Sequence, residues 1–298
     1  MKLLVTGSAG FVGSNVCKEA LKQGYSVVGF DIKKTAVDGV ESIIGNITDK
    51  NLVEKTMRGI DVVINLAAIT SNVEFEKSMY SCYNVNVNGF FNLIESAKNN
   101  SVKKFAYASS SAVYLDKFSE ETIIDISKQK NHYAKSKLMN ELIARSYSDA
   151  YGLDTLGFRF FNVYGHGENE KGDYASIISI FIKAKRENRP LIIYGDGKQA
   201  RDFVNVSDVA KIVIKLIEKS SYPLYNIGTG VATSYGDIAD FIDKNLKRYV
   251  PNPLSSYQYL TRADTSRLIS TIGEYHFKPI KESVDELFNS SSSINWYA

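Results

Sequence analysis

Tyr133 and Lys137 stand four residues apart in NHYAKSK (131–137), the spacing that sets two side chains beside each other on one helix face. A phenol with an ordinary pKa near ~10 is a poor base at neutral pH. A cation within a few ångström favours the phenolate, so such a pair can take a proton from a hydroxyl while hydride leaves the same carbon. The same spacing occurs on any helix surface, so its chemistry depends on what surrounds it. Ser109, Ser110 and Ser111 close the run KKFAYASSS (103–111), 22–24 residues upstream of Tyr133. A serine cluster alone only makes a turn.

Gly7, Gly10 and Gly13 form a G-x-x-G-x-x-G run between strand-like KLLVT and helical FVGSNVCKEALKQG. Gly7 permits the tight turn, Gly10 lets backbone approach a pyrophosphate, and Gly13 lets the helix pack close to the sheet. The first helical residues, Phe11, Val12 and Gly13, then offer amides and the helix dipole to an anion. Asp31 ends the next strand-like run, YSVVGFD, 18 residues after Gly13. A carboxylate there accepts from an adenosine ribose diol and repels a 2′-phosphate, which favours NAD over NADP. Lys33 and Lys34 follow at once and blur that preference.

These groups need a scaffold. Apolar runs at 2–6, 25–31, 61–68 and 103–111 alternate with helical patterns, including YNVNVNGFFNLIESAKNN (83–100). This predicts an α/β fold, a doubly wound parallel sheet covered by helices. Ligands bind at the carboxyl ends of such strands, where the serines fall. In the helix of Tyr133, Ala134, Leu138 and Leu142 mark one face and Gly152 caps the end. All five prolines fall beyond residue 160. We therefore expect a dinucleotide-binding domain over 1–160 and a smaller substrate-binding lobe over 161–298, interleaved with the first. NSSSS (289–293) reads as a frayed tail, with Trp296 docking it back.

The chain has 298 residues, 44% apolar and 23% charged, with net charge +3. That charge argues for neither nucleic acid nor a membrane surface, and no apolar run approaches the ~20 residues of a membrane span. Glycines interrupt any signal-peptide core, so a cytoplasmic protein is expected. Cys17 and Cys82 read as buried free thiols, and His132, His166 and His276 show no metal-ligand spacing.

The motifs together resemble the extended short-chain dehydrogenase/reductase family, closest to its NAD-dependent nucleotide-sugar epimerases of the UDP-glucose 4-epimerase type. The resemblance covers nearly the whole chain. It implies that Ser110, counted back from Tyr114, joins Tyr133 and Lys137 as the catalytic set, with Lys137 also holding the nicotinamide ribose. GNITD (45–49) is similar to the adenine-contacting segment, implying cofactor contacts from Asn46 and Ile47, with Asn46 where an aspartate is usual. NLAA implies Leu66, Ala67 and Ala68 beside the cofactor, and NVNG gives Asn86 a structural or cofactor-supporting role. On the substrate side the family pattern implies Asn162, Arg201 and Arg262 on a nucleotide-sugar diphosphate and Tyr194 by the base. His166 stands where a proline is usual.

The implied reaction is UDP-glucose/UDP-galactose interconversion, with transient oxidation at C4 and hydride return to the other face. Sugar 4,6-dehydratases of the family carry an acid after the catalytic Ser or Thr, whereas Ser111 and Ala112 follow here. Alternatives are an ADP-glyceromanno-heptose 6-epimerase-like enzyme using Lys171, a nucleotide-sugar ketone reductase, or a non-catalytic dinucleotide-binding module. The resemblance also implies a homodimer through helices at about 78–99 and 133–151.

Overall fold

In the computed structural model, residues 1–115, 117–168, 175–252 and 258–289 are described. Lys171 and Trp296 lie outside them.

The apolar runs become strands because both faces of a parallel sheet are covered, so central strands such as β4 are buried along their whole length. Those of the first half are β1 (Lys2–Thr6), β2 (Ser26–Asp31), β3 (Glu41–Ile44), β4 (Val62–Asn65), β5 (Lys104–Ser110) and β6 (Thr155–Phe160). Then follow β7 (Asn162–Tyr164), β8 (Leu191–Tyr194), β9 (Ala200–Asn205), β10 (Leu224–Ile227), β11 (Ala232–Ser234) and β12 (Lys247–Val250). Helices α1 (Phe11–Lys22), α2 (Lys50–Met57), α3 (Asn72–Lys77), α4 (Met79–Tyr83), α5 (Gly89–Asn99) and α6 (His132–Tyr151) join the early strands. Helices α7 (Ile177–Arg186), α8 (Val206–Lys219), α9 (Tyr235–Asp243), α10 (Ser266–Ile272) and α11 (Ile280–Asn289) follow.

Seven strands form one parallel sheet in the order β10-β6-β5-β4-β1-β2-β3. Alternation along β1 sends Leu3 and Val5 to one face and Leu4 to the other. On the first face they meet Val16 of α1 and Val209, Ile212 and Val213 of α8. On the other, Leu4 joins Phe90 and Leu93 of α5 and Ala144 of α6. Both β10 and α8 come from beyond residue 160, so the later half of the chain completes the sheet begun by the first.

A second core gathers Tyr164, Phe181, Phe203 and Ile238 around α7, α9 and the small sheets β11-β9-β7 and β12-β8. Val113, Tyr114, Leu138, Phe161 and Ala263 form a further small apolar cluster, with residues from both halves of the chain.

Two local differences from the sequence reading bear on the site. The strand-like run 61–68 leaves the sheet at Asn65, freeing Leu66, Ala67 and Ala68 for the cleft. The helical run 83–100 carries a π-helical turn over Asn84–Asn88, a wider winding often found at functional sites.

Candidate active site

The glycine loop is held by its own backbone. Gly7 has φ +68°, and a Cβ there would stand 2.9 Å from the amide nitrogen of Ala67. A Cβ on Gly13 would stand 2.0 Å from the Gly7 carbonyl oxygen. The close contact that requires Gly13 is thus with the loop itself, not with the sheet as its spacing suggested. Gly10 caps α1 without a side-chain hydrogen bond, and the first turn holds no acid. The first-turn amides Phe11–Gly13 open the helix toward the cleft, the arrangement that attracts phosphate. Asp31 clamps this loop, accepting from the amides of Ala9 at 3.0 Å and Lys33 at 3.1 Å.

Two adjoining cavities cross the loop. One of about 350 Å³ is lined by Asp31, Asn46, Ile47, Leu66, Ala67 and Ala68. The other, about 430 Å³, shares Gly7, Gly10, Leu66 and Ala68 and adds Ser110, Tyr133 and Lys137. The residues expected at the adenosine end and at the reacting end therefore line one trough. It passes a helix N-terminus midway and carries a carboxylate at one end. An NAD molecule fits this donor set: the amides suit its pyrophosphate, Asp31 its adenosine ribose, and Cβ atoms on Gly7 or Gly13 would collide with the backbone that shapes the cradle.

Ser110 ends β5, and its Oγ accepts from the Ala112 amide at 3.1 Å. Helix α6 starts where Asn131 accepts from the Ala134 amide at 3.1 Å, and ends at Gly152 in the left-handed conformation. Tyr133 packs edge-on against Phe75, ring centroids 6.4 Å apart. Burial pushes its phenol up to about 12, with a hydrogen bond from Ser110 pulling the other way. Lys137 is buried, and its Nζ lies 5.7 Å from the Tyr133 ring centroid. Burial pushes its ammonium down to about 8, opposed by the negative charge of Glu141. In the protein alone, burial is thus the dominant influence on the phenol. The Lys137 ammonium donates to the Ala108 carbonyl, 3.0 Å away.

Asn86 works one layer behind the cleft. Turned inward by the π-helical turn, it accepts from the Ile69 amide and donates to the Ile69 carbonyl and the Ser136 hydroxyl. It fixes the segment after β4 to α6, a supporting rather than a contacting position.

On the substrate side, Asn162 donates to the Asp202 carbonyl and the Thr261 hydroxyl. Thr261 in turn bonds Ala200 through its amide. Arg201 bonds the carbonyls of Ala200 and Gln258, and Arg262 is exposed one residue beyond Thr261. Asn162 and Arg201 thus both reach the 258–264 segment, which also carries Arg262. Tyr194 lies apart, half-exposed at the end of β8. His166 is exposed, its carbonyl accepting from Asn15.

Three residues carry the site without having been singled out in the sequence. Asp202, fully buried, accepts from the amides of Thr229, Gly230 and Ala263 and from the Thr229 hydroxyl. Burial still holds its carboxyl above the usual range. Glu141 and Arg159 form a bidentate pair behind α6 at 2.7 and 2.9 Å. Glu141 stands one turn after Lys137, but only the β5–β6 register brings Arg159 beside Ser109 and reveals the pair. A fourth residue, Glu168, is also buried; it accepts from Ser176 and Ser179 at the start of α7.

Residues 3–228 match the NAD dependent epimerase/dehydratase family. The "Putative UDP-glucose 4-epimerase" of Methanocaldococcus jannaschii is 34% identical over 255 residues, 80% of this chain and 81% of its own. Among solved structures, a UDP-N-acetylglucosamine 4-epimerase from Methanobrevibacter ruminantium, in complex with UDP-N-acetylmuramic acid, is 26% identical. It superposes with a TM-score of 0.85 over 97% of this chain and 98% of that one. A mutant UDP-glucuronic acid 4-epimerase from Bacillus cereus, in complex with UDP-4-deoxy-4-fluoro-glucuronic acid and NAD, gives the same identity of 26%, TM-score of 0.85 and coverages of 97% and 98%. No helix among the described residues is long and apolar enough to cross a membrane. With its glycine loop, Asp31 and the trough between them, the chain belongs to the NAD-dependent epimerase/dehydratase enzymes.

Proposed function

We propose that the chain is a nucleotide-sugar 4-epimerase of the UDP-glucose/UDP-galactose type. The observation that carries this reading is the lining of the cleft around Ser110, Tyr133 and Lys137. The described residues there include no carboxylate, and Ser111 and Ala112 follow Ser110. Elimination of water across C5 and C6 needs an acid at that place; removal and return of hydrogen at one carbon does not.

NAD, when bound, supplies the hydride acceptor and a positive charge beside the phenol. Tyr133 takes the proton of the 4-hydroxyl as that carbon becomes a ketone, and gives it back after the sugar has turned. Ser110 donates a hydrogen bond to the same oxygen, and Lys137 holds the nicotinamide ribose. Arg201 and Arg262 grip the diphosphate with planar forks, beside Asn162, so the nucleotide stays anchored while the sugar rotates. Tyr194 walls the base. The relatives described above are named for UDP-sugars, which supports a UDP-linked substrate.

Exposed Tyr80, Phe91, Leu142 and Tyr151 support a homodimer through the helices at about 78–99 and 133–151. The two free cysteines suit the reducing cytoplasm. A 6-epimerase reading rests on Lys171, outside the described residues, and carries less.

Incubation of the purified protein with UDP-galactose and no added cofactor tests the proposal, with appearance of UDP-glucose as the expected result. Stoichiometric consumption of NAD(P)H with a keto sugar would instead make it a reductase. Binding of NAD without turnover of any nucleotide sugar would make it a binding module.

A further inference from the structure

Lys137 sits in a small, almost closed set of groups. On its own helix Tyr133 lies one turn before it and Glu141 one turn after. Strand β5 offers the Ala108 carbonyl at 3.0 Å, and β6 contributes Arg159 on the far side of Glu141. The Glu141 carboxylate accepts both forks of Arg159, at 2.9 and 2.7 Å, and the hydroxyl of Ser109. The side chains of Arg159 and Glu141 are only 5% and 13% exposed. Ser109 is the immediate neighbour of Ser110, and pairs with Arg159 across β5 and β6.

A buried ion pair is a poor device for stability alone, since well-packed apolar residues usually serve as well or better. This one joins β6 to β5 and α6, the two elements that carry the reacting groups, and its negative end opposes the effect of burial on Lys137.

We propose that Glu141 is a positioning residue of the reaction: gripped by Arg159 and Ser109, its carboxylate ties the end of β5 carrying Ser110 to the helix carrying Tyr133 and Lys137, and serves as counter-charge to the Lys137 ammonium. The catalytic half of this rests on the proton-transfer reading above; the charge coupling does not.

Lysine side-chain NMR of the full chain across the alkaline range reads the coupling directly, with the Lys137 signal identified by its loss in Lys137→Met. Glu141→Gln should lower the Lys137 titration midpoint by about one pH unit, whereas Glu141→Asp, which keeps the charge, should stay near the parent. The kcat of Glu141→Gln for UDP-galactose should fall about tenfold or more with KM within about twofold. A midpoint that falls equally in both variants, or in neither, overturns the proposal. If Glu141→Gln does not fold, the double variant Glu141→Met with Arg159→Met, which also removes the more distant opposing charge, must show a smaller drop in the same direction; an unchanged or raised midpoint there overturns it too. The titration needs no substrate, so a chain that turned over no nucleotide sugar would remove the epimerase reading and leave the coupling to be decided by the midpoint alone.

Discussion

The ammonium of Lys137 is hydrogen-bonded to the backbone carbonyl of Ala108 at 3.0 Å, two residues before Ser110, rather than to the phenol of Tyr133. The lysine thus anchors the end of β5 to α6 while carrying a charge that burial disfavours.

That cost has a pH signature. Burial takes Lys137 from an ordinary 10.5 down to about 8. Between those values the unfolded chain holds more protons at this site than the folded one, so this site adds stability as pH rises through the window. Below about 8 it is charged in both states and the full penalty applies. With bound cofactor removed, Lys137→Met should therefore be the more stable protein at neutral pH, by about 1–3 kcal/mol. Thermal denaturation at a series of pH values should show the gap closing above about 8. A pH-independent difference would contradict the assignment.

Tyr133→Phe keeps the edge-on packing against Phe75 and removes only the hydroxyl. Epimerisation should fall by about 10²–10⁴-fold, while the melting temperature and the amount of NAD retained through purification stay as in the parent. Full activity in this variant would end the proposed mechanism for any substrate.

Gly13→Ala forces a methyl to within 2.0 Å of the Gly7 carbonyl oxygen, so the loop must move. We expect a loss of about 1–3 kcal/mol in stability and a larger loss in NAD affinity, measured by titration of the cofactor-stripped protein. Wild-type affinity would mean that the loop has freedom its contacts do not suggest.

Asp202→Asn puts an amide donor among four donors that now share one carboxylate. Stability should fall by about 2–4 kcal/mol. Release of the 258–264 segment should raise KM for the nucleotide sugar more than it lowers kcat. Steady-state kinetics and denaturant unfolding of the one variant separate the two effects.

The glycine loop, Asp31 and the helix of Tyr133 and Lys137 were legible in the sequence because local rules set each one: turn chemistry, strand ends and helical spacing. The parallel sheet followed from alternating periods. Groups whose meaning comes from distant partners were not legible. Glu141 looks like any polar residue on a helix until Arg159 arrives from β6, and Asp202 looks like the neighbour of a substrate arginine until the 229–230 turn and the 258–264 segment close over it. Asn86 was named from its motif, yet its supporting position depends on a π-helical turn that helical periodicity does not reveal. For Tyr133, likewise, spacing measures proximity to a charge and says nothing of the water lost on burial.

Strand β10 has a consequence for the order of events during synthesis. It is made 64 residues after β6 ends yet forms that strand's outer edge in the finished sheet. On the ribosome the first six strands are complete while β6 still shows an unpaired row of amides and carbonyls, open to a neighbouring nascent chain. A translational pause or a truncation before residue 224 would extend that interval or make it permanent. The last strand to join thus covers the six-residue edge of β6 and leaves a shorter, four-residue strand as the new edge.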